Sequence, residues 1–555
     1  MQSFSPQHRS DQLTRMRGET FDILVVGGGI TGAGIARDAA MRGLRVALVE
    51  QSDFASGTSS KSSKLIHGGL RYLEQADFRL VFEGTAERAR LMKQAPHVVR
   101  PLPFVYPVYK NSRRGPLVIQ FGMWLYDLLA LFRNFKMHRR LNVRGSAEVA
   151  PGLLTDGLRA SMLYYDGLTD DARLTLENIL AAHQHGAAIG NHLEMTGPLR
   201  NEAGRITGAR IHDRLTGDEF ELNSHVMIHA VGPWTNAVLG RHGAECADMI
   251  RPTRGVHLLV SQARLPCDHA IVMNSIQDGR VVFVIPWEGN VAIGTTDTDH
   301  TEGPDSVHAT REDVDYLLET VNHFFPEAGL VDGDIRSTWA GLRPLVRDDG
   351  ASAYDTSREH TILVHPEGRV TIAGGKLTTY RKMAEQCVLR ALPLLPPDRS
   401  QGKKGSVTRT VPLPGAQDFD LTTEGDDAVE EMCTGALQAS PSTSRRLLRT
   451  HGARWRLLQA RVEAHPVLAR VLDVMTGVTA AEIEHAVLEE MGMTLEDVMT
   501  RRTPLFHHGE DQGLPVVDSV ASQMGELLDW SDEERTRNIH AYRQTVADAR
   551  RWNDA

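Results

Sequence analysis

The sequence predicts a Rossmann-like α/β domain, interrupted by an inserted α+β domain of antiparallel sheet and followed by an all-α C-terminal domain. The first observation is a strand, glycine turn, helix and second strand within 21–50. The second is a pair of apolar strands at 280–297 that turn at Glu288-Gly289-Asn290, a pattern typical of a hairpin. The third is the helical spacing of apolar residues beyond about residue 430.

Length and charge limit the function classes. A chain of 555 residues is too long for one ordinary domain. The 61 basic and 71 acidic residues give a net charge of −10 with no block of one sign. Because phosphate backbones need a clustered basic face, nucleic acid is not expected as a partner. The four cysteines are far apart and form no CxxC, so we expect no metal site, no disulfide framework and a reducing cytosol.

The most apolar window covers 115–132. It contains Asp127 and falls short of the about 20 apolar residues of a spanning helix. Two interpretations stay open: a buried or amphipathic core helix, or contact with one membrane face, which the basic run at 133–140 favours. The first twenty residues lack the apolar core of a signal peptide, so secretion is not expected.

A dinucleotide-binding motif follows the first strand. Gly27, Gly29 and Gly32 form GxGxxG at the start of a helix. The first glycine permits a tight turn, the second lets the backbone approach a pyrophosphate, and the third allows close helix–sheet packing. The helix N-terminus offers free N–H groups to the phosphates. Glu50, at the end of the next strand, is placed to accept hydrogen bonds from a ribose hydroxyl and disfavours NADP.

The spacing of the later strands favours FAD over NAD. Apolar strands at 225–232 and 369–375 each end in glycine, so one nucleotide-binding sheet is spread along the chain around an inserted domain. Lys376 and Thr378 follow the second strand at what we predict to be another helix N-terminus. Its dipole would stabilise negative charge on a reduced flavin. An ordinary capped helix is the alternative.

The predicted division of the chain follows from these segments. It consists of an N-terminal extension (1–20), an FAD-dependent oxidoreductase region (21–390), a linker (391–410) and a helical domain (411–555). Within the second region, FAD-binding segments cover about 21–75, 160–245 and 335–390, and substrate or cap segments cover about 76–159 and 246–334. The FAD-binding domain is expected to be of the glutathione-reductase/D-amino-acid-oxidase type.

Six stretches occur in order within about residues 20–390: "DILVVGGGITGAGIARDAAMRGLRVALVE", "GTSSKSSKLIHGGLRYLE", "YYDGLTDDARL", "VFVIPWEGNVAIGTTDTD", "GLRPL" and "GGKLTTYRKMAE". Together they resemble the FAD-dependent glycerol-3-phosphate dehydrogenases, and "LEEMGMTLEDVMTRRT" resembles the helical domain that ends these enzymes. The resemblance implies oxidation of sn-glycerol 3-phosphate to dihydroxyacetone phosphate, with hydride passed to FAD and electrons to a membrane quinone. It also implies a cytoplasmic protein docked peripherally on the inner face of the cell membrane. A homodimer is left open.

Such a substrate requires cations for its phosphate, a base for its hydroxyl proton and flavin N5 facing C2. Arg71 and Tyr72, in "HGGLRY", are expected to face the substrate. Arg343, in "GLRPL", is the second cation, and by the resemblance it faces both flavin and substrate. Arg358 and Lys376 are further substrate-binding candidates by resemblance. The predicted catalytic residues are Arg71, Arg343 and a general base.

His257 is the preferred base because histidine titrates near neutral pH. A buried strand histidine with no chemical role is the alternative. His67 is the rival base, although its glycine-rich surroundings suit contact with the flavin. Thr296 and Asp297 are either orienting groups or turn formers.

The expected cofactor contacts combine the glycine turns with the matched loops. They are Gly27, Gly28, Gly29, Ile30, Thr31, Gly32, Glu50, Ser59, Ser60, Lys64, Leu65, His67, Gly232, Gly374, Gly375, Lys376, Leu377 and Thr378. Ser59, Ser60, Lys64 and Leu65 rest on the resemblance alone.

Three alternatives compete with the dehydrogenase. A glycerol-3-phosphate oxidase would pass electrons to oxygen and release hydrogen peroxide. An amine oxidase of the same fold would bind a carboxylate and need fewer cations than Arg71, Arg343, Arg358 and Lys376 provide. A flavoprotein scaffold without turnover would bind FAD that no substrate reduces.

Overall fold

The computed structural model describes residues 4–69, 77–112, 114–131, 133–241, 248–347, 359–402, 405–417 and 426–553. Its helices are Pro6–Gly18 (α1), Ile30–Met41 (α2), Phe78–Gln94 (α3), Pro116–Leu129 (α4), Val143–Val149 (α5), Asp171–Gln184 (α6), Thr235–Arg241 (α7), Arg311–Phe324 (α8), Tyr380–Ala391 (α9), Pro397–Ser400 (α10), Asp426–Leu437 (α11), Pro441–His451 (α12), Trp455–Ala464 (α13), Ala480–Leu488 (α14), Leu495–Asp497 (α15), Leu505–His508 (α16), Val517–Leu528 (α17) and Asp532–Ala549 (α18).

The strands are Thr20–Val26 (β1), Val46–Val49 (β2), Leu65–Ile66 (β3), Val99–Tyr109 (β4), Arg139–Leu141 (β5), Leu158–Thr169 (β6), Ala188–Gly190 (β7), Leu193–Arg200 (β8), Ile206–Asp213 (β9), Glu219–His229 (β10), Ile250–Ser261 (β11), Ala270–Asn274 (β12), Val281–Trp287 (β13), Asn290–Gly294 (β14), Thr298–Asp299 (β15), Ile335–Val346 (β16), His360–Val364 (β17), Arg369–Gly374 (β18), Val471–Asp473 (β19) and Val478–Thr479 (β20).

The first sheet is the predicted nucleotide-binding sheet. Parallel strands run in the order β18-β10-β1-β2-β7, although they come from distant parts of the chain. α2 packs against α6 and α9 over this sheet, and the alanines of α2 allow that close approach. β8, β9 and β17 add antiparallel edges. The fold class predicted for this part is confirmed.

The second sheet is largely antiparallel, in the order β15-β11-β14-β13-β12-β4-β6-β3, with β16 also paired to β11. The predicted hairpin is present: β13 and β14 pair antiparallel across the turn at 288–290. Two strands of this sheet begin the second and third predicted FAD-binding segments: β6, which pairs with β4, and β16, which pairs with β11. The β11–β16 register places His257 opposite Trp339 and Thr253 opposite Arg343.

The C-terminal domain is helical, as predicted, and adds the short strand pair β19–β20. Its core includes Ile483, Leu495, Val520 and Tyr542. The predicted linker contains α10, where Arg399 Nε donates to Asp22 Oδ1 at 2.7 Å and so joins this segment to β1. None of the helices in the described part of the chain has the length and apolar character needed to cross a bilayer.

Candidate active site

One cavity of ≈ 700 Å³ is lined by residues from both sheets. This volume lies within the range of small-molecule and cofactor sites. The predicted residues on its walls are Gly27, Gly29, Ile30, Thr31, Glu50, Ser59, Leu65, His67, Gly232, His257, Arg343, Gly374, Gly375, Lys376, Leu377 and Thr378. The topology explains this convergence, because the parallel strands β1, β10 and β18 all end at the same edge of the first sheet.

The turn after β1 forms a bare-backbone cradle. Gly27 has φ +110°, and a Cβ there would lie 2.5 Å from the Ala230 carbonyl oxygen. A Cβ on Gly32 would lie 1.9 Å from the Gly27 carbonyl oxygen, so the helix packs too closely for any side chain. The Ile30 amide donates to Ser59 Oγ at 2.9 Å at the start of α2. The close packing at Gly27 and Gly32 provides the bare backbone that a bound pyrophosphate needs.

Glu50 stands beside this cradle. Its Oε2 accepts from the Gly28 amide at 2.6 Å, and its Oε1 accepts from the Ser52 amide at 2.9 Å. Burial raises the pKa of Glu50, while the two amides act in the opposite direction. The carboxylate is therefore held in a fixed orientation at the cavity wall, where an adenosine ribose would present its hydroxyls.

A second turn borders the cavity after β18. Gly374 and Gly375 have φ +76° and +93°, which side chains rarely adopt. A short 3₁₀ segment, Leu377–Thr379, then leads into α9. Thr378 Oγ1 accepts from the His67 amide at 3.1 Å and donates to the His67 carbonyl at 3.2 Å. The loop before residue 70 is thereby fixed against this helix N-terminus.

His257 lies on β11 and is 2% exposed. Its Nε2 is 2.9 Å from Ser63 Oγ. Burial is the largest cause that holds the pKa of His257 well below its ordinary value, followed by the charges of Arg343 and Lys64. The ring is therefore neutral at physiological pH and able to accept a proton.

Arg343 faces the cavity from β16. Its Nη1 donates to Asp297 Oδ1 at 3.0 Å, and its Nη2 donates to Thr295 Oγ1 at 2.8 Å and to the Thr296 carbonyl at 3.1 Å. Asp297 thus orients the guanidinium, the first of the two roles considered for it. A guanidinium fixed in this way is suited to a phosphate or to a substrate oxygen.

The far end of the cavity reaches helix α4, where Val118, Ile119, Phe121 and Leu125 line it. The inner side of α4 is anchored: the Tyr126 hydroxyl accepts from the Gly68 amide at 3.1 Å and donates to Asp166 Oδ1 at 2.9 Å. The cavity therefore extends from the nucleotide cradle, past His257 and Arg343, to an apolar helix.

Comparison with known proteins identifies the family. The family model described as FAD dependent oxidoreductase matches residues 22–381. A second family model, described as the C-terminal domain of alpha-glycerophosphate oxidase, matches residues 406–535. Over 546 residues the chain is 34% identical to a Staphylococcus haemolyticus protein named aerobic glycerol-3-phosphate dehydrogenase, covering 97% of this chain and 96% of that one. The chain belongs to the FAD-dependent glycerol-3-phosphate dehydrogenase family. The predicted resemblance is confirmed.

The family includes proteins with different names. The chain is 33% identical over 612 residues to the alpha-glycerophosphate oxidase of Streptococcus pneumoniae, covering 99% of each. The glycerol-3-phosphate dehydrogenase of Bacillus halodurans, solved in complex with FAD, is 30% identical, with a TM-score of 0.77 and 98% of each chain covered. Membership of an FAD-dependent family fits the features of the site described above, namely the glycine cradle, the helix N-terminus and Glu50.

Some predicted residues of this family member lie away from the cavity wall. Gly28, Gly32, Ser60 and Lys64 do not line it. Lys64 Nζ instead donates to Asp171 Oδ1 at 2.6 Å in a buried ion pair. Arg71, Tyr72 and Arg358 lie outside the described residues.

Two residues around His257 went unnoticed in the sequence. Ser63 supplies the hydrogen-bond partner of His257, and Trp339 stacks on its ring. They lie 194 and 82 positions from His257, and no motif joins them. A prediction that the segments of β11 and β16 pair would have placed Trp339 opposite His257.

Proposed function

We propose that the protein oxidises sn-glycerol 3-phosphate to dihydroxyacetone phosphate and delivers the electrons to a membrane quinone. The observation that carries this proposal is the single cavity joining a dinucleotide cradle, the His257–Arg343 pair and an apolar helix. Each of its three parts matches one participant: cofactor, phosphorylated substrate and apolar acceptor.

The two glycine turns and Glu50 would hold FAD, which when bound would supply the acceptor for the hydride that leaves C2. Neutral His257 takes the proton of the 2-hydroxyl as that hydride leaves, so the alcohol becomes a ketone with no change elsewhere in the substrate. Arg343 and Lys376 line the cavity and supply positive charge for the phosphate or the hydroxyl oxygen. Arg71, Tyr72 and Arg358 are proposed to complete the substrate contacts.

The oxidation is tested with the purified protein under anaerobic conditions. Glycerol 3-phosphate is expected to bleach the flavin absorption near about 450 nm, as hydride transfer to a bound flavin requires. A soluble quinone analogue should then restore the band much faster than air does. Faster recovery of the flavin band in air would indicate the oxidase. This is the second candidate function, and it is supported by the similarity to the Streptococcus pneumoniae protein named alpha-glycerophosphate oxidase. A flavin that glycerol 3-phosphate leaves oxidised would contradict both functions.

Membrane docking is proposed for the apolar face of α4, defined here as Leu117, Val118, Phe121, Trp124 and Leu128. Each of these side chains is at least half exposed, and Leu117 and Phe121 reach 72%. Clustered exposure of this kind marks an interaction surface. Arg133, Lys136, Arg139 and Arg140 are exposed beside it, and such cations are attracted to anionic lipids. The adjoining cavity end gives a quinone a path from the bilayer.

The Leu117→Glu, Trp124→Glu double variant is expected to bind phosphatidylglycerol-containing vesicles about a hundredfold more weakly, because two apolar side chains no longer enter the interface. Co-sedimentation with the vesicles measures this. Neither residue lines the cavity, so anaerobic flavin reduction should stay unchanged. Val474→Glu is the matched control, since Val474 is an exposed apolar residue of the C-terminal domain. Equal loss of binding in the control would contradict the assignment of α4.

A further inference from the structure

A chain of aromatic rings leads from the candidate base to the C-terminal domain. The His257 ring stacks on Trp339 with centroids 4.9 Å apart and an interplanar angle of 5°. Trp339 in turn meets His507 of α16 edge-on, at 5.2 Å and 74°. Ser337 Oγ, two residues before Trp339 on β16, donates to the His507 carbonyl at 3.1 Å. The C-terminal domain is thus in contact with the second layer of residues behind the cavity.

Trp339 also holds the loop that supplies the hydrogen-bond partner of His257. Its Nε1–H donates to the Ser62 carbonyl at 3.2 Å. The next residue, Ser63, places Oγ 2.9 Å from His257 Nε2. The Trp339 indole therefore stacks on the face of the His257 ring and also holds the backbone of the loop that supplies Ser63.

One polar contact and close packing orient the imidazole. Within the described residues, His257 Nδ1 has no hydrogen-bond partner. The neighbouring Gly294 gives space to the ring, since a Cβ there would lie 2.1 Å from His257 Cδ2. The ring is therefore held by the Ser63 contact, by the Trp339 face and by close packing against the Gly294 backbone. A base must keep its acceptor atom within hydrogen-bond reach of the substrate hydroxyl.

We propose that Trp339 is a positioning residue for His257, and that the C-terminal domain maintains this arrangement through His507. The role of His257 as the base rests on the proposed function. The C-terminal domain thereby takes part in the site through His507 of α16.

Loss of Trp339 would change the environment that sets the pKa of His257. The positive charges of Arg343, on β16, and of Lys64, just before β3, lower the pKa of His257. Arg343 is paired with Asp297, and Lys64 with Asp171. Lys64 Nζ lies 5.6 Å from the centroid of the Trp339 ring. Burial is the first cause of the lowered pKa of His257, so water admitted in place of the indole would raise that pKa toward its ordinary value.

The test compares Trp339→Leu with Trp287→Leu in the holoenzyme. Trp287 is a ring of the same cluster, 5.8 Å from Trp339 and edge-on to His508 at 4.2 Å, and it does not stack on His257. Trp339→Leu is expected to slow anaerobic flavin reduction at saturating glycerol 3-phosphate about tenfold to a hundredfold, as a misplaced catalytic group does. Substrate affinity should change little. The rate should also begin to fall at a higher pH on acidification.

A second readout does not depend on the substrate. The titration of His257, followed by NMR of ¹³Cε1-labelled histidine in the substrate-free holoenzyme and assigned with His257→Gln, should move to higher pH in Trp339→Leu. His507→Ala should move it in the same direction by less, and Trp339→Phe, which keeps a ring face, should largely restore it. These two variants carry the test if Trp339→Leu does not retain FAD.

The outcomes are distinguishable. An unchanged titration and rate in the Trp339 variants would overturn the inference, as would equal effects in Trp287→Leu. If glycerol 3-phosphate fails to reduce even the unaltered protein, the proposed function is wrong, while the NMR titration still decides whether Trp339 positions His257.

Discussion

His257→Gln is expected to slow the reduction of the flavin by glycerol 3-phosphate about a hundredfold or more. Glutamine preserves a polar group near Ser63 but cannot take the hydroxyl proton, and general-base catalysis contributes about 10²–10⁴-fold. FAD content should remain unchanged, because the nucleotide cradle belongs to other segments. Anaerobic stopped-flow absorbance at a series of substrate concentrations separates the rate of reduction from substrate affinity.

The pH dependence has a definite sign. Only the neutral imidazole accepts a proton, and burial together with Arg343 and Lys64 lowers the pKa of His257. The rate of reduction should therefore stay constant from neutral pH down past the ordinary histidine range of about 6.5, and fall only when the pH passes through the lowered value.

Two matched variants test the assignment. His67→Gln removes the rival base, which lines the same cavity. His229→Gln removes an equally buried strand histidine, 1% exposed, that does not line it. A greater loss in His67→Gln than in His257→Gln would assign the base to His67. A comparable loss in His229→Gln would show that substitution of any buried histidine damages the fold.

The supersecondary structure near the cradle was predictable because its signals are local. The unit at 21–50 combines a buried strand, glycines with defined steric roles and an alanine-rich helix, and it appears as β1, α2 and β2. The hairpin at 280–297 follows from two apolar runs on either side of the turn at Glu288-Gly289-Asn290. The strand ends at 225–232 and 369–375 were also recognisable, since glycine after a buried strand is a local pattern.

Contacts between distant segments were not predictable from such signals. The helical spacing predicted beyond about residue 430 does not show where each helix ends: α14 ends at Leu488, and Met491, three residues later, takes φ +52°. Lys64 was expected beside the cofactor, yet its partner Asp171 is 107 residues away and draws it into an ion pair. Sequence patterns show which residues are polar and not which partner they meet.

The same limit applies to α4. The composition of 115–132 left a core helix and a membrane-facing helix both open. The structure shows an amphipathic helix, and contact of its exposed face with a membrane is the proposal made above. Met123, Tyr126 and Asp127 are buried, whereas Leu117 and Phe121 are largely exposed. An apolar window identifies an amphipathic helix only when the face that packs on the protein is known, and that face is selected here by Asp166 and Gly68.

Arg343→Met is expected to lower kcat/KM for glycerol 3-phosphate about a hundredfold, since a charge-assisted hydrogen bond contributes about 1.5–3 kcal/mol. The variant also leaves Asp297 without its guanidinium partner, so Arg343→Lys, which keeps the positive charge, should recover part of the loss. Arg336→Met is the control on the same strand: Arg336 bonds Asn290 Oδ1 at 3.0 Å and does not line the cavity.

Comparison with glycerol then determines which substrate group Arg343 contacts. If the guanidinium binds the phosphate, Arg343→Met loses its penalty with glycerol, which has the same hydroxyl and C2 hydrogen but no phosphate. If it binds the hydroxyl oxygen, the penalty is the same for both alcohols, because the interaction lies at the reacting carbon. An Arg343→Met protein with unaltered kcat/KM for glycerol 3-phosphate would exclude both contacts. In that case the phosphate must be held by other cations, of which Lys376 already lies on the cavity wall.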